Sequence, residues 1–153
     1  MSEPEVPLAR LFALGYRALV DGLHDELPRR GWTDVRPAFG FVLLALRDTP
    51  VLLRDLPATL GTSKQAVSKL VDAMVAVGYV ERDADPGDAR GKRVQLSDRG
   101  RQLLTAVEEV YADLERTWAA VLGEERLAGL RADLTAVLSS TTGGRLPPVR
   151  AVG

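Results

Sequence analysis

Apolar positions along the chain recur first at steps of three and four, then in alternation, then at three and four again. Leu8, Leu11, Phe12, Gly15, Leu19, Leu23 and Leu27 mark one face of a helix of about five turns, expected to stop before Pro28. Residues 1–7, with two prolines and two glutamates, read as a flexible N-terminus, and Arg29-Arg30-Gly31-Trp32 as a connection. A second helix is expected from near Pro37, whose fixed φ suits a first turn, through Phe41 to Leu46, with Asp48-Thr49-Pro50 ending it. Leu52 and Leu53 read as a short edge strand, and Arg54 to Leu60 as a short helix closing on Gly61. Thr62, followed three residues later by Gln65, has capping-box spacing, so another helix opens there and runs to Val77, with Gly78 as its stop. Within it Val67, Leu70, Val71 and Met74 take one side; Lys64, Gln65, Ser68, Lys69 and Asp72 take the other.

After Gly78 the period changes to two. Tyr79-Val80-Glu81-Arg82 and Arg93-Val94-Gln95-Leu96 alternate as strands, and the ten residues between them carry Pro86, Gly87 and Gly91, which predicts a hairpin with a long charged tip. Ser97 then caps a long helix marked by Leu103, Val107, Val110, Leu114 and Val121. A last helix presents Leu127, Leu130, Leu134, Val137 and Leu138. Two short helices joined by a glycine-containing turn form a helix-turn-helix, and a hairpin directly after it makes a winged helix. In such a unit one helix can enter the major groove while the hairpin reaches the neighbouring minor groove or backbone.

Composition narrows the chemistry. The 153 residues are 46% hydrophobic and 27% charged, enough to fill one core. No apolar run approaches the ~18 residues of a membrane span, and the opening Met1-Ser2-Glu3-Pro4-Glu5 is acidic where a signal peptide is basic, so a cytoplasmic location and no membrane partner are expected. Zero cysteines exclude disulfides and thiolate zinc sites, and one histidine leaves little for a metal centre. No cofactor is expected, and an enzyme has little behind it. Net charge is −1, but it is unevenly spread: residues 54–101 hold nine basic and seven acidic groups, residues 102–140 three and seven. A local basic patch on an acidic body suits contact with DNA at one face.

Two loop motifs fail on inspection. Asp83 to Asp88 faintly suggests a calcium loop, but Pro86 and Gly87 disrupt it and Val94 stands where a bidentate glutamate belongs. Gly87 to Lys92 has three residues between its glycines where a phosphate loop needs four, and Arg93 follows the lysine in place of Ser or Thr.

The run from Asp55-Leu56-Pro57 through Thr62-Ser63-Lys64-Gln65-Ala66-Val67-Ser68-Lys69-Leu70-Val71 resembles the MarR (multiple antibiotic resistance regulator) family. So do Gly78-Tyr79-Val80-Glu81-Arg82, Asp85-Pro86-Gly87-Asp88-Ala89-Arg90 and Val94-Gln95-Leu96-Ser97-Asp98-Arg99-Gly100. The Asp-x-Arg between the two strands is its most specific part, and the order of flanking helices extends it over roughly residues 8–138. The resemblance implies a homodimeric transcriptional regulator of double-stranded DNA, usually a repressor, often released by a small aromatic or anionic effector. It also implies that Ser63, Lys64, Gln65, Ser68 and Lys69 face DNA, that Arg90 enters the minor groove, and that Asp88 helps to hold the wing. Lys92 and Arg93 belong with the basic patch. Pro57 departs from the pattern, and a slightly altered helix start is expected there.

The fold class expected is therefore mainly α with a small β-hairpin wing. A winged helix-turn-helix of about residues 37–96 is flanked by N- and C-terminal dimerisation helices of about 8–27, 97–122 and 125–138, as one unit over 8–138 with a flexible tail over 139–153. Three apolar-faced helices leave a surplus to bury, so a homodimer is expected, with Val107, Val110 and Leu114 at its seam. Its two-fold symmetry implies a pseudo-palindromic operator with half-sites about one turn of DNA apart.

Several residues keep two readings. The polar stripe of the Thr62–Val77 helix serves DNA or is a solvated face; a winged helix used as a protein-interaction module without specific DNA binding is the alternative of a different class. Tyr16, Trp32, Phe39, Tyr111 and Trp118 line an effector pocket or are core, and His24 is an effector contact, a helix-surface residue or part of the dimer seam.

Overall fold

A computed structural model describes residues 2–85 and 87–150, and the side chains of all of these except 85 and 88–91. The order is α1 (Leu8–Arg29), α2 (Phe39–Ala45), β1 (Val51–Leu52), a 3₁₀ turn (Leu53–Asp55), α3 (Leu56–Leu60), α4 (Lys64–Ala76), β2 (Val80–Asp85), β3 (Asp88–Leu96), α5 (Asp98–Leu122) and α6 (Glu124–Ser139). The mainly α fold with a small wing stands. The sheet is antiparallel with order β1-β3-β2, so the edge strand beside the wing pairs Val51 with Val94 and Leu52 with Arg93.

Boundaries differ from the sequence reading where local bonding overrides propensity. Pro28 does not stop α1; it sits inside the last turn. Arg30 N–H reaches the Glu26 and Leu27 carbonyls, and Trp32 N–H that of Leu27 at 2.9 Å, so the helix closes past the one bond proline cannot make. The cap of α4 is Ser63 rather than Thr62: its Oγ accepts from Ala66 N–H at 3.1 Å, and with alanine at that position there is no capping box. Pro57 lies in the first turn of α3, behind the 3₁₀ turn, as the altered start expected of it. The wing strands are longer than expected, and most of the supposed tip is ladder: Asp83 pairs with Arg93 and Ala84 with Lys92, before a bulge at Ala84/Asp85.

One core joins these elements. Leu23 and Leu27 of α1, Phe39, Val42 and Leu43 of α2, Leu56 and Leu60 of α3, Val67, Val71 and Met74 of α4, Val94 and Leu96 of β3, and Leu103 and Val110 of α5 are all buried in it. The flanking helices are different. No residue of α1 before Leu23 is buried, and α6 buries none. Two glycines seven residues apart let α1 lie close on α5: a Cβ at Gly15 would meet Trp118 at 3.1 Å, and one at Gly22 would meet Leu114 at 2.9 Å. This corrects Val110 as a seam residue. Val110 is 1% exposed within its own chain, and Val107 and Leu114 pack against the same core.

Candidate nucleic-acid interface

Gly61, at φ 68°, ends α3 in the left-handed conformation and turns the chain into Ser63, which starts α4. Burial of Val67, Val71 and Met74 fixes the rotation of α4, and so carries Lys64, Gln65 and Lys69 outward, with Ser68 half-buried at the edge. Neither Lys64 nor Lys69 has a carboxylate partner among the described residues. Asp72 on the same helix does: it accepts from Arg82 of β2, which ties the helix to the wing.

The wing divides its cations into two kinds. Arg93 lays its Nε and one terminal nitrogen on the two Asp83 oxygens, each at 3.1 Å, across the β2–β3 ladder. That fork holds the Asp83 carboxyl below its ordinary pKa. Arg93, grouped with the DNA-facing residues by sequence, thus has its guanidinium engaged within the wing. Lys92, one residue earlier on the opposite face, is exposed and has no carboxylate partner among the described residues. The side chains of Asp88 and Arg90 lie outside the described residues.

Between α4 and the wing lies a cleft of about 470 Å³, lined by Leu52, Leu53, Arg54, Pro57, Lys64, Val67, Ser68 and Lys92. Its floor is apolar and its rim cationic. Sequence reasoning missed Arg54 as part of this face, because only the 3₁₀ turn beside the edge strand brings it across from Lys92.

Of the six residues suggested for an effector pocket, Trp32 and Phe39 pack on one ring, that of Tyr79, and Tyr16, His24, Tyr111 and Trp118 lie on α1 and α5. Phe39 is buried edge-on to Tyr79, and Trp32 tilts against the same ring, both with centroids at 6.1 Å. Tyr16 is exposed on α1, and Trp118 caps Gly15. Tyr111 on α5 is half-buried, and burial pushes its phenol pKa up, with Tyr16 nearby adding to the effect. His24, half-buried on α1, has its pKa lowered by burial, against an opposing pull from Asp21.

Tyr79, read only as a strand residue, proves to be the centre of the wing's base. Its hydroxyl donates to Asp34, Arg99 stacks 5.2 Å from its ring and 5.6 Å from that of Trp32, and Arg99 also pairs with Asp34 at 3.6 Å. Burial first, and the Asp34 carboxylate second, raise the phenol's pKa. Ser97 caps α5 through Gly100 N–H at 3.0 Å and donates its own hydroxyl to the Gly78 carbonyl, which fixes the wing strands to the start of the long helix.

The sequence profile of the MarR family matches residues 40–91, from α2 through the wing. The exopolysaccharide II synthesis transcriptional activator ExpG of Rhizobium meliloti (strain 1021) is 28% identical over 109 residues, which are 71% of this chain and 56% of that protein. The chain thus spans little more than half the length of that curated relative. The crystal structure of wild-type MarR from E. coli, in its apo form, is 25% identical, with a TM-score of 0.73 over 89% of this chain and 99% of that one. The S. aureus MepR–DNA complex shares the fold, with 24% identity and a TM-score of 0.66 over 89% of this chain and 99% of that one. Element order, sheet order and the cationic face beside α4 define a winged helix-turn-helix of the kind found in transcription regulators, not enzymes. Residues 40–91 match the MarR family, and the chain has the fold of MarR.

Proposed function

We propose that the chain is a sequence-specific regulator of transcription that binds double-stranded DNA as a homodimer on a pseudo-palindromic operator. The observation that carries this reading is the outward face of α4: Lys64, Gln65 and Lys69 are exposed, and both lysines lack carboxylate partners among the described residues. A solvated face of no function gains from pairing its cations, as the Arg82–Asp72 and Arg93–Asp83 pairs beside it do. In this reading Ser63, Lys64, Gln65, Ser68 and Lys69 meet the major groove, Lys92 meets the backbone, and Arg90 enters the minor groove with Asp88 holding the wing. MepR, whose structure with DNA is known, has the same fold.

The dimer reading is supported by the open apolar faces of α1 and α6. The sign of control is read as repression, relieved by a small aromatic or anionic effector. The cleft beside α4 suits such a molecule, since its apolar floor would take a ring and Lys64 and Lys92 its charge. The test is a footprint on the DNA flanking the gene, followed by binding to the protected duplex over a salt series. A protected two-fold site with steep salt dependence is expected; absence of any duplex binding would return the α4 face to a protein-docking role. Benzoate titrated into the complex tests release, and a reporter behind the protected site tests repression against activation.

A further inference from the structure

The segment after α6 turns back and reaches the helix-turn-helix. Thr142 N–H and Gly144 N–H both reach the Ser139 carbonyl at 3.2 Å, and Gly143 and Gly144 stand at φ 67° and 88°, so the chain reverses sharply where the helix ends. Pro147 and Pro148 then stiffen the next stretch, because their fixed φ favours an extended path of roughly 3 Å per residue. That path ends on the helix-turn-helix. A Cβ at Gly61 would lie 3.0 Å from Arg150 Cδ and 3.3 Å from its Cβ and Cγ, so the aliphatic stem of Arg150 covers the turn three residues before Lys64.

The charge of the segment is one-sided. Residues 141–153 contain Arg145 and Arg150 and no acidic residue, whereas residues 102–140, from which the segment emerges, hold three basic and seven acidic groups. Both arginines are exposed, and neither guanidinium has a hydrogen bond or ion pair among the described residues. Carboxylates were within the chain's reach along α5 and α6, where Arg131 takes Glu115 and Arg116 takes Asp113. An arginine carried past these to lie over Gly61, three residues before Lys64, raises the positive potential at the start of α4, which costs free energy unless an anion comes to that edge.

We propose that this segment is a third DNA-contacting element, in which Arg150 holds a backbone phosphate beside the turn that leads into α4 and Arg145 adds a second positive charge along the path to it. It supplies sequence-independent affinity at the turn before the helix. The proposal rests on the DNA-binding reading above, and the experiment separates the two. Binding of the full chain to a short fluorescent duplex of mixed sequence is followed by anisotropy over a salt series, alongside three variants: Arg145→Ala/Arg150→Ala, Arg145→Lys/Arg150→Lys and Lys64→Ala/Lys69→Ala.

The alanine tail variant is expected to bind on the order of three- to tenfold more weakly, with a log–log salt slope shallower by about one to two per protomer. The lysine tail variant should keep most of both quantities. Thermal melting should match the full chain for both, since neither arginine is buried. If the full chain binds and the α4 variant is weakened while the alanine tail variant keeps its affinity and slope, the tail proposal falls alone. Tighter binding by the alanine tail variant also overturns it, and makes the segment a strap over the turn. If the full chain binds no duplex at any salt concentration, both readings fall together.

Discussion

The base of the wing and the first half of α1 are built from similar residues and end in opposite states. Around Tyr79 every group is answered within the chain: its ring meets Trp32, Phe39 and Arg99, its hydroxyl meets Asp34, and its carbonyl accepts from Ser97 N–H at 3.0 Å. On α1, Leu8, Leu11, Phe12, Leu14 and Tyr16 stay exposed, and α6 leaves Leu130, Val137 and Leu138 in the same condition. The two regions share one helix, because α1 goes on to bury Leu23 and Leu27 in the common core. The chain thus finishes the half that must hold α4 and the wing in fixed relation. It leaves open the half whose apolar area exceeds what a single protomer needs.

The strongest way to break the closed half is at Gly100. A Cβ there would overlap the Tyr79 carbonyl oxygen and lie 3.0 Å from its carbon; both are backbone, held by the Ser97 bond and unable to swing away. Gly100→Ala is expected to cost on the order of 3 kcal/mol or more, at the upper end for an overpacked core, and to appear as a large fall in the urea midpoint. Gly129→Ala, with open space around the glycine on α6, is the control and should leave the midpoint unchanged or raise it slightly. Equal losses for the two glycines would erase the contrast between the regions.

Next in size is the open half. Leu11→Glu/Phe12→Glu changes side chains that are 48% and 49% exposed, so a protomer on its own should tolerate both. If the face is covered by a second copy, each buried apolar side chain contributes about 1.5–3 kcal/mol to association. The variant should then sediment as a monomer at micromolar concentration, with a melting temperature that no longer rises with protein concentration. A wild-type chain that is already monomeric at that concentration would sink the dimer reading.

Much of this division was legible in the sequence, and the parts that were not have physical reasons. The polar stripe of α4 and the succession of helices and hairpin follow from period and punctuation, which act locally. Periodicity reports that a helix face is apolar, yet not whether its own chain or another covers it. Val110 was therefore assigned to a seam when it belongs to the core. Pairing across strands is equally invisible: Arg93 reads as one more cation in a basic run until the register sets it opposite Asp83. The Asp34–Tyr79–Arg99 cluster joins residues 45 and 20 positions apart, and nothing in their neighbours' spacing signals it.

A smaller effect probes the same cluster. Tyr79→Phe keeps the ring contacts and removes only the hydroxyl bond to Asp34, while Arg99 still pairs with that carboxylate. The expected loss is about 1.5–3 kcal/mol of stability, that of one hydrogen bond to a charged group, with duplex binding unchanged once the chain is folded. A loss of binding without a loss of stability would mean that the cluster positions the wing rather than merely holding it.

The smallest effect lies where the closed and open halves of α1 meet. His24 sits between the buried Leu23 and Leu27, and its pKa is lowered by burial more than the neighbouring Asp21 raises it. The unfolded chain therefore binds the proton more readily than the folded one. The contribution of neutral His24 is fully present above its ordinary pKa of about 6.5 and is lost as pH falls through the lowered folded value. Urea midpoints from about pH 7.5 down to pH 5, above the range where carboxylates titrate, should decline for the wild type more than for His24→Gln. Because His24 lies in the half of α1 that the chain closes for itself, the difference between the two proteins should be the same at low and high protein concentration. A difference that grows with concentration would place His24 on the face that assembly covers, and would move the boundary between the two halves past His24 toward Leu27.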